Sequence, residues 1–288
     1  MKKVVSMLLL TAMIISSCFM FASCSKDEKY TIGVQSGTTG WSFVTGDADW
    51  GFTGFSNVTV SSFDTAALAV SDLLAGNVDF VVVDDAVAKT LVASNKGTKC
   101  IDIPLTTESY GISVDKSQSD LLANINTYLG ENKTAIDALF TKYADVSDDN
   151  ATTWAGEIIT SATYDSSKTN QLVVATNAAF APFEFTVGNG YAGIDMEMAK
   201  LIADSLDMEL VIVNMEFDAI TASLGKNGVD IGIAAMTINA VRSQVVNFSD
   251  PYYTEAYQVV ICKDTDTLFD SCKTTDDMLA VLSGLNIK

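Results

Sequence analysis

The chain has 288 residues, 48% hydrophobic and 18% charged, with 36 acidic against 17 basic side chains and no histidine. A formal charge of −19 repels nucleic acid and anionic lipid, so neither is expected as a partner. The lack of histidine excludes His-based triads and His-ligated metal sites, and neither a metal nor a cofactor is expected.

Met1-Lys2-Lys3 followed by the apolar run 4–21 reads as the charged and hydrophobic parts of an export signal. The run is nearly long enough to span a bilayer, so a single helical anchor is the alternative, and both readings place the remainder outside the membrane. It ends in Phe21-Ala22-Ser23-Cys24, followed by polar Ser25 to Lys29. Small residues before a cysteine resemble a bacterial lipoprotein signal, with a signal peptide over 1–23 and Cys24 as the lipidated residue. Ile15-Ser16-Ser17-Cys18 fits the same pattern, but apolar Phe19 to Phe21 follow it, which favours Cys24. Of the other cysteines, Cys262 and Cys272 either pair or stay as buried thiols, and Cys100 makes the count odd.

Residues 30–34 alternate and are β-branched, which predicts a strand running into Gln35-Ser36-Gly37-Thr38-Thr39-Gly40. Glycines and hydroxyls after a strand suit a turn whose amides face an anion. A phosphate loop needs a lysine after the last glycine, and Trp41 stands there. The aromatic, glycine-rich stretch 47–55 reads as a loop and 58–60 as a short strand. Helical spacing runs over 65–74 and stops at Gly76. Residues 78–83 form a continuous apolar run, the pattern of a buried parallel strand, ending in Asp84-Asp85 before a helix over 86–94. Asp84 at a strand's carboxyl end is placed either to meet a ligand or to cap the next helix.

Strands are expected over 101–104 and 108–114, then amphipathic helices over 118–129 and 133–143. Residues 145–170 are rich in Ser, Thr, Asp and Asn and read as a linker. Beyond it, strands are expected over 172–176, 210–213, 229–234 and 258–262, and helices over 196–206, 217–224 and 274–282. Strands alternating with helices predict open, mostly parallel α/β sheets.

Four stretches carry a family pattern. They are Ala181-Pro182-Phe183-Glu184-Phe185, Gly193-Ile194-Asp195, Ala235-Met236-Thr237-Ile238-Asn239-Ala240-Val241-Arg242, and Phe248-Ser249-Asp250-Pro251-Tyr252. In order and spacing they resemble the first lobe of the polar amino-acid-binding proteins of ABC importers. The resemblance implies a two-lobed type II periplasmic-binding-protein fold, with mostly parallel sheets joined by two hinge strands. In that family the segment like 285–288 runs directly into the strand like 31–34. Here those pieces lie at opposite ends, so residues 30–145 resemble the family's second half and 170–288 its first. The halves complement rather than duplicate each other, which favours one circularly permuted protein over a fragment of a tandem array. The expected domains are a small lobe of residues 24–107 with 264–288, and a large lobe of 108–263 containing the linker 145–170.

Carried over position by position, the resemblance implies that Arg242, with the backbone of Thr237 and Ala235, takes an α-carboxylate. Thr38 would take it from the small lobe, and Asp84 would accept from the α-ammonium. Phe180 and Phe217 would sandwich the aliphatic part, although core packing is the plainer use of a phenylalanine. Asn177 stands where many relatives carry an acid, which favours a polar neutral amino acid over a cationic one. Asn239 replaces a usual threonine and Ala181 a usual proline. The expected protein is a monomeric, non-enzymatic lipoprotein on the outer face of the cytoplasmic membrane or in the periplasm, delivering a free amino acid to an ABC permease. The alternatives are a dehydratase-like enzyme on the same fold and a surface sensor or adhesion lipoprotein.

Overall fold

The computed structural model describes residues 29–151 and 153–285. The signal peptide and Cys24 lie outside the described residues. Among those described, no helix is long and apolar enough to cross a membrane.

The first half builds one five-stranded sheet. Strand β1 (Thr31–Gln35) leads to helix α1 (Thr39–Thr45), β2 (Thr59–Phe63), α2 (Ala66–Ala75), β3 (Phe80–Asp84), α3 (Asp85–Ser94) and β4 (Thr98–Ile101). Helix α2 shows why these residues fold locally. Thr65 caps its start through the Leu68 amide, Gly76 ends it at φ +82°, and Ala66, Ala69, Val70 and Leu73 form the buried stripe. Strand β3 is buried throughout, as its unbroken apolar run requires.

After β5 (Glu108–Tyr110), β6 (Ser113–Val114), α4 (Ser119–Glu131), α5 (Lys133–Lys142) and α6 (Asp148–Ala151), the second sheet begins with β7 (Gln171–Thr176). A small hairpin system follows, β8 (Ala179–Phe180), β9 (Glu184–Val187) and β10 (Gly190–Ala192). The chain continues through α7 (Ile194–Ser205), β11 (Glu209–Asn214), α8 (Ile220–Ser223), β12 (Ile231–Gly232), α9 (Arg242–Val245), β13 (Asn247–Phe248), β14 (Tyr253–Ala256), β15 (Gln258–Lys263) and α10 (Thr275–Ser283).

The sheet orders are β2-β1-β3-β15-β4 and β11-β7-β12-β6-β13. Both obey one rule. Three parallel strands, with the first in chain order between the other two, are followed by one antiparallel strand that arrives from the other half, and then by an edge strand. Strand β15 runs antiparallel to β3 and β4, and β6 runs antiparallel to β12 and β13. Between the sheets, β5 and β14 pair antiparallel and carry the chain across.

Several local expectations need correction. The strand expected over 258–262 is not a hinge strand: β15 lies wholly inside the first sheet, and the crossing falls upstream at β14. The strand expected at 101–104 ends at Ile101, because Ile103 N bonds back to Ile101 O at 2.8 Å and Pro104 has no N–H to give a ladder. Of 229–234 only Ile231–Gly232 keeps ladder pairing, because the chain leaves the sheet at Ala235, where φ is +45°. Residues 217–224 begin as a 3-10 turn, Phe217–Ala219, and only then become helical. Cys100, Cys262 and Cys272 are free thiols, so the pairing alternative falls away.

The polar stretch 145–170 does not loop out. Trp154 stacks on Tyr143 with ring centres 4.9 Å apart, and Ile159 pairs with Tyr191. Ala162 N then donates to Leu210 O at 2.8 Å, so the segment runs along the second lobe's surface.

Candidate functional site

Strand β3 delivers Asp84 to the cleft between the two sheets. The residue is 5% exposed, and its side chain makes no capping bond to α3. Its carboxylate accepts instead from the Tyr110 hydroxyl on β5. Burial, and then the nearby Glu108, push the Asp84 carboxyl up to about 7. Glu108 is itself buried. It accepts from the Thr237 hydroxyl at 2.6 Å and from Gln258 Nε2 at 3.0 Å.

Arg242 comes from the other lobe, at the start of α9. Asn239 Oδ1 accepts from the Arg242 amide at 2.8 Å, so the residue replacing the expected threonine supplies the local cap. The guanidinium donates to Thr237 O at 2.8 Å and to Gly37 O at 3.0 Å. It lies 4.9 Å from the Trp50 ring centre and 5.2 Å from that of Phe217, a cation held between two aromatic faces. Burial lowers its pKa to about 10, which leaves it charged at neutral pH.

Thr38 and Ala235 take up positions different in detail from those the resemblance implies. The Thr38 hydroxyl donates to Gln35 O at 2.8 Å and accepts from Trp41 N at 3.2 Å, so it works as the cap of α1. Its neighbour Thr39 reaches across instead, with its hydroxyl 2.9 Å from that of Thr237. Since Thr237 already donates to Glu108, it is the acceptor in that bond. The Ala235 amide donates to Asp195 Oδ2 at 2.7 Å, so it is committed behind the cleft rather than to a ligand. Asp195 also accepts from the Tyr252 hydroxyl at 2.9 Å, and burial raises its carboxyl to about 7. Fully buried Glu184 beside it is pushed well above the ordinary range, chiefly by burial and then by Asp195.

A narrow cavity of about 10 Å³ lies where these groups meet. Gln35, Thr38, Thr39 and Asp84 border it from one lobe, and Phe180, Phe217, Ala235, Thr237 and Arg242 from the other. Asn177 does not border it. Its side chain stands behind Gln35, whose Nε2 donates to Asn177 Oδ1 at 2.9 Å. The sequence reading missed Gln35, Thr39, Trp50 and Glu108. Gln35 and Thr39 lie within the turn that it did single out, whereas Trp50 lies in a stretch read as plain loop and Glu108 in one read as plain strand.

A buried cation and a buried carboxyl facing one narrow space between the lobes, with Phe180 as an apolar wall, carry charges that complement those of a small zwitterion. Two sheets of the same order, each holding a strand received from the other half, with such a cavity between them, define the type II periplasmic-binding-protein fold. Residues 172–283 match the bacterial extracellular solute-binding proteins, family 3. It is 34% identical to the arginine-binding extracellular protein ArtP of Bacillus subtilis (strain 168) over 33% of this chain and 37% of that one. It is 29% identical to the cyclohexadienyl dehydratase of Pseudomonas aeruginosa over 36% of this chain and 40% of that one. The chain thus spans less than half the length of the curated relatives it matches. Among solved structures, the arginine-bound form of domain 1 from TmArgBP is 35% identical, over 40% of this chain and 90% of that chain, with a TM-score of 0.28.

Proposed function

We propose that this protein captures a free amino acid with a polar neutral side chain between its two lobes and presents it to an ABC permease. The observation that carries the reading is the convergence of Arg242 and Asp84, from different lobes, on one narrow cavity. Arg242 takes the α-carboxylate, with two of its N–H groups already anchored on carbonyls and others left for the ligand. Asp84 accepts from the α-ammonium, and Phe180 and Phe217 exclude water. The protein acts as an exported monomer. It is tethered through lipidated Cys24, supported by the small residues before that cysteine, and is a binder rather than an enzyme. It is also one circularly permuted domain, a reading supported by residues of both halves bonding across a single cleft.

Calorimetric titration with the common amino acids and cystine tests this. One-to-one binding of at least one of them supports it. Binding of none removes it and favours a surface sensor or adhesion lipoprotein. The match to a protein named cyclohexadienyl dehydratase favours a second reading, an enzyme of the same fold. Product formation from prephenate or arogenate would establish that one instead.

A further inference from the structure

Gln35 ends strand β1 and borders the cavity, with only 3% of its surface exposed. The orientation of its side-chain amide follows from a chain of bonds across the cleft. Asn177 Nδ2 donates to Met215 O at 2.8 Å. A backbone carbonyl only accepts, so the Asn177 nitrogen must face it and its oxygen must face Gln35. That oxygen also only accepts, so Gln35 must present its own nitrogen, at 2.9 Å. Asn177 thereby has both ends of its amide engaged within the protein. Gln35 is left with a buried carbonyl oxygen, Oε1, that has no hydrogen-bond partner among the described residues. A buried acceptor without a partner is unfavourable, and a ligand that supplies a donor relieves it.

Resting on the amino-acid-binding reading above, we propose that Gln35 is the specificity residue of the cleft: its Oε1 accepts from the ligand's side chain and selects amino acids carrying an N–H or O–H donor there. Side chains ending in a carboxylate meet lone pair against lone pair, and aliphatic side chains leave the oxygen unsatisfied. Gln35 belongs to one lobe, while Asn177 and Met215 belong to the other. The acceptor is therefore oriented only when the lobes close, and the selection is exercised at closure.

The test uses pairs of ligands that are nearly isosteric: glutamine against glutamate, asparagine against aspartate, serine against alanine, threonine against valine. Titration of the wild-type protein should show at least one donor-bearing member bound about 100-fold tighter than its mate, the discrimination expected when one buried acceptor is left unpaired. Gln35→Met keeps the length and apolar stem of the side chain and should collapse that ratio to within about threefold, weakening the donor-bearing mate and tightening the other. Asn177→Ala frees the Gln35 amide to turn over, and should narrow the ratio for a carboxylate mate by tightening its binding. Thermal melts of each variant report folding separately. If the wild-type protein binds no member, the amino-acid reading itself fails. If it binds a carboxylate or aliphatic member best, or if folded Gln35→Met keeps the wild-type ratio, amino-acid binding stands and the role given to Gln35 is wrong.

Discussion

Arg242 donates from its Nη2 to the carbonyl of Gly37 at 3.0 Å, across the cleft and from one lobe to the other. The side chain assigned to a ligand's carboxylate is thus also a latch between the lobes. Phe217 and the Thr237 carbonyl, from its own lobe, already hold the guanidinium in place, and Trp50 from the other lobe meets it on closure. Orientation before binding removes an entropic cost that a free arginine would carry.

Arg242→Ala should weaken binding of the preferred amino acid by about 2–5 kcal/mol, because it leaves a desolvated carboxylate without its charged partner. Titration calorimetry at neutral pH measures this. Unchanged affinity would take Arg242 out of the site.

Gly37 has φ +73°, and a Cβ built there would lie 2.7 Å from the Asp218 Cβ on the opposite lobe. Both the backbone conformation and the space require glycine. Gly37→Ala should therefore hinder closure, lowering affinity by at least about tenfold in line with a reduced fraction of the binding-competent closed state. Small-angle scattering should show a larger radius for this variant with ligand present than for the wild-type protein. Equal radii and equal affinities would mean that the contact yields without cost.

Much of this was legible in the sequence, for reasons that differ by element. The apolar run of β3 and the stripe of α2 announce themselves because burial constrains several consecutive side chains at once. Arg242 was singled out by the family pattern around it and Asp84 by its place at a strand's carboxyl end, and the two border one cavity. Trp50 and Glu108 were not, since each acts on a residue distant in sequence, and no local period encodes such a pairing. The carry-over also gave the Ala235 amide to the ligand. A buried partner, Asp195, holds that amide, and its claim becomes visible only in three dimensions. The two-residue ladder of β12 was overread for a related cause: the apolar run continues past Gly232, but the backbone turns away at Ala235.

Proton linkage gives a prediction with a definite sign. Burial raises the Asp84 carboxyl from 3.8 to about 7, with Glu108 adding to the shift and bonds from Tyr110 and Gln258 opposing it. The empty folded protein therefore holds a proton between those values that the unfolded chain has released. This group's contribution to stability is greatest at the acid end and declines as pH rises through that window. Binding runs the other way, because an α-ammonium needs the carboxylate, so affinity should fall by about tenfold per pH unit below 7. Titrations at pH 8, 7 and 6 check the slope. Asp84→Asn should bind weakly at all three, with the slope flattened. A wild-type affinity constant over that range would show that Asp84 does not meet the ligand's ammonium.

The proposed permuted order makes the last prediction. Asn57 Nδ2 donates to Leu285 O at 2.8 Å and to Leu282 O at 3.0 Å. Two residues on, Thr59 N donates to Tyr30 O at 2.8 Å. Residues 30 and 285 are thereby held against the same short segment of one lobe, and Leu285 is buried in that lobe's core cluster while Tyr30 packs against it. At the other break, residues 145–170 run along the second lobe, with Trp154 on Tyr143 and Ile159 on Tyr191. A chain joined by a short linker from Leu285 to Tyr30, and opened near Thr153, keeps both sheets and the β5–β14 crossing intact. Loop-closure entropy varies slowly with length, so the rearrangement should shift stability by only about 1 kcal/mol beyond local effects. The rearranged protein should fold in one transition and bind the same amino acid with similar affinity. A chain that folds but does not bind would break the single-cleft reading. One that does not fold at all would favour halves belonging to neighbouring copies of an array, and the joint site of Asp84 and Arg242 would fall with it.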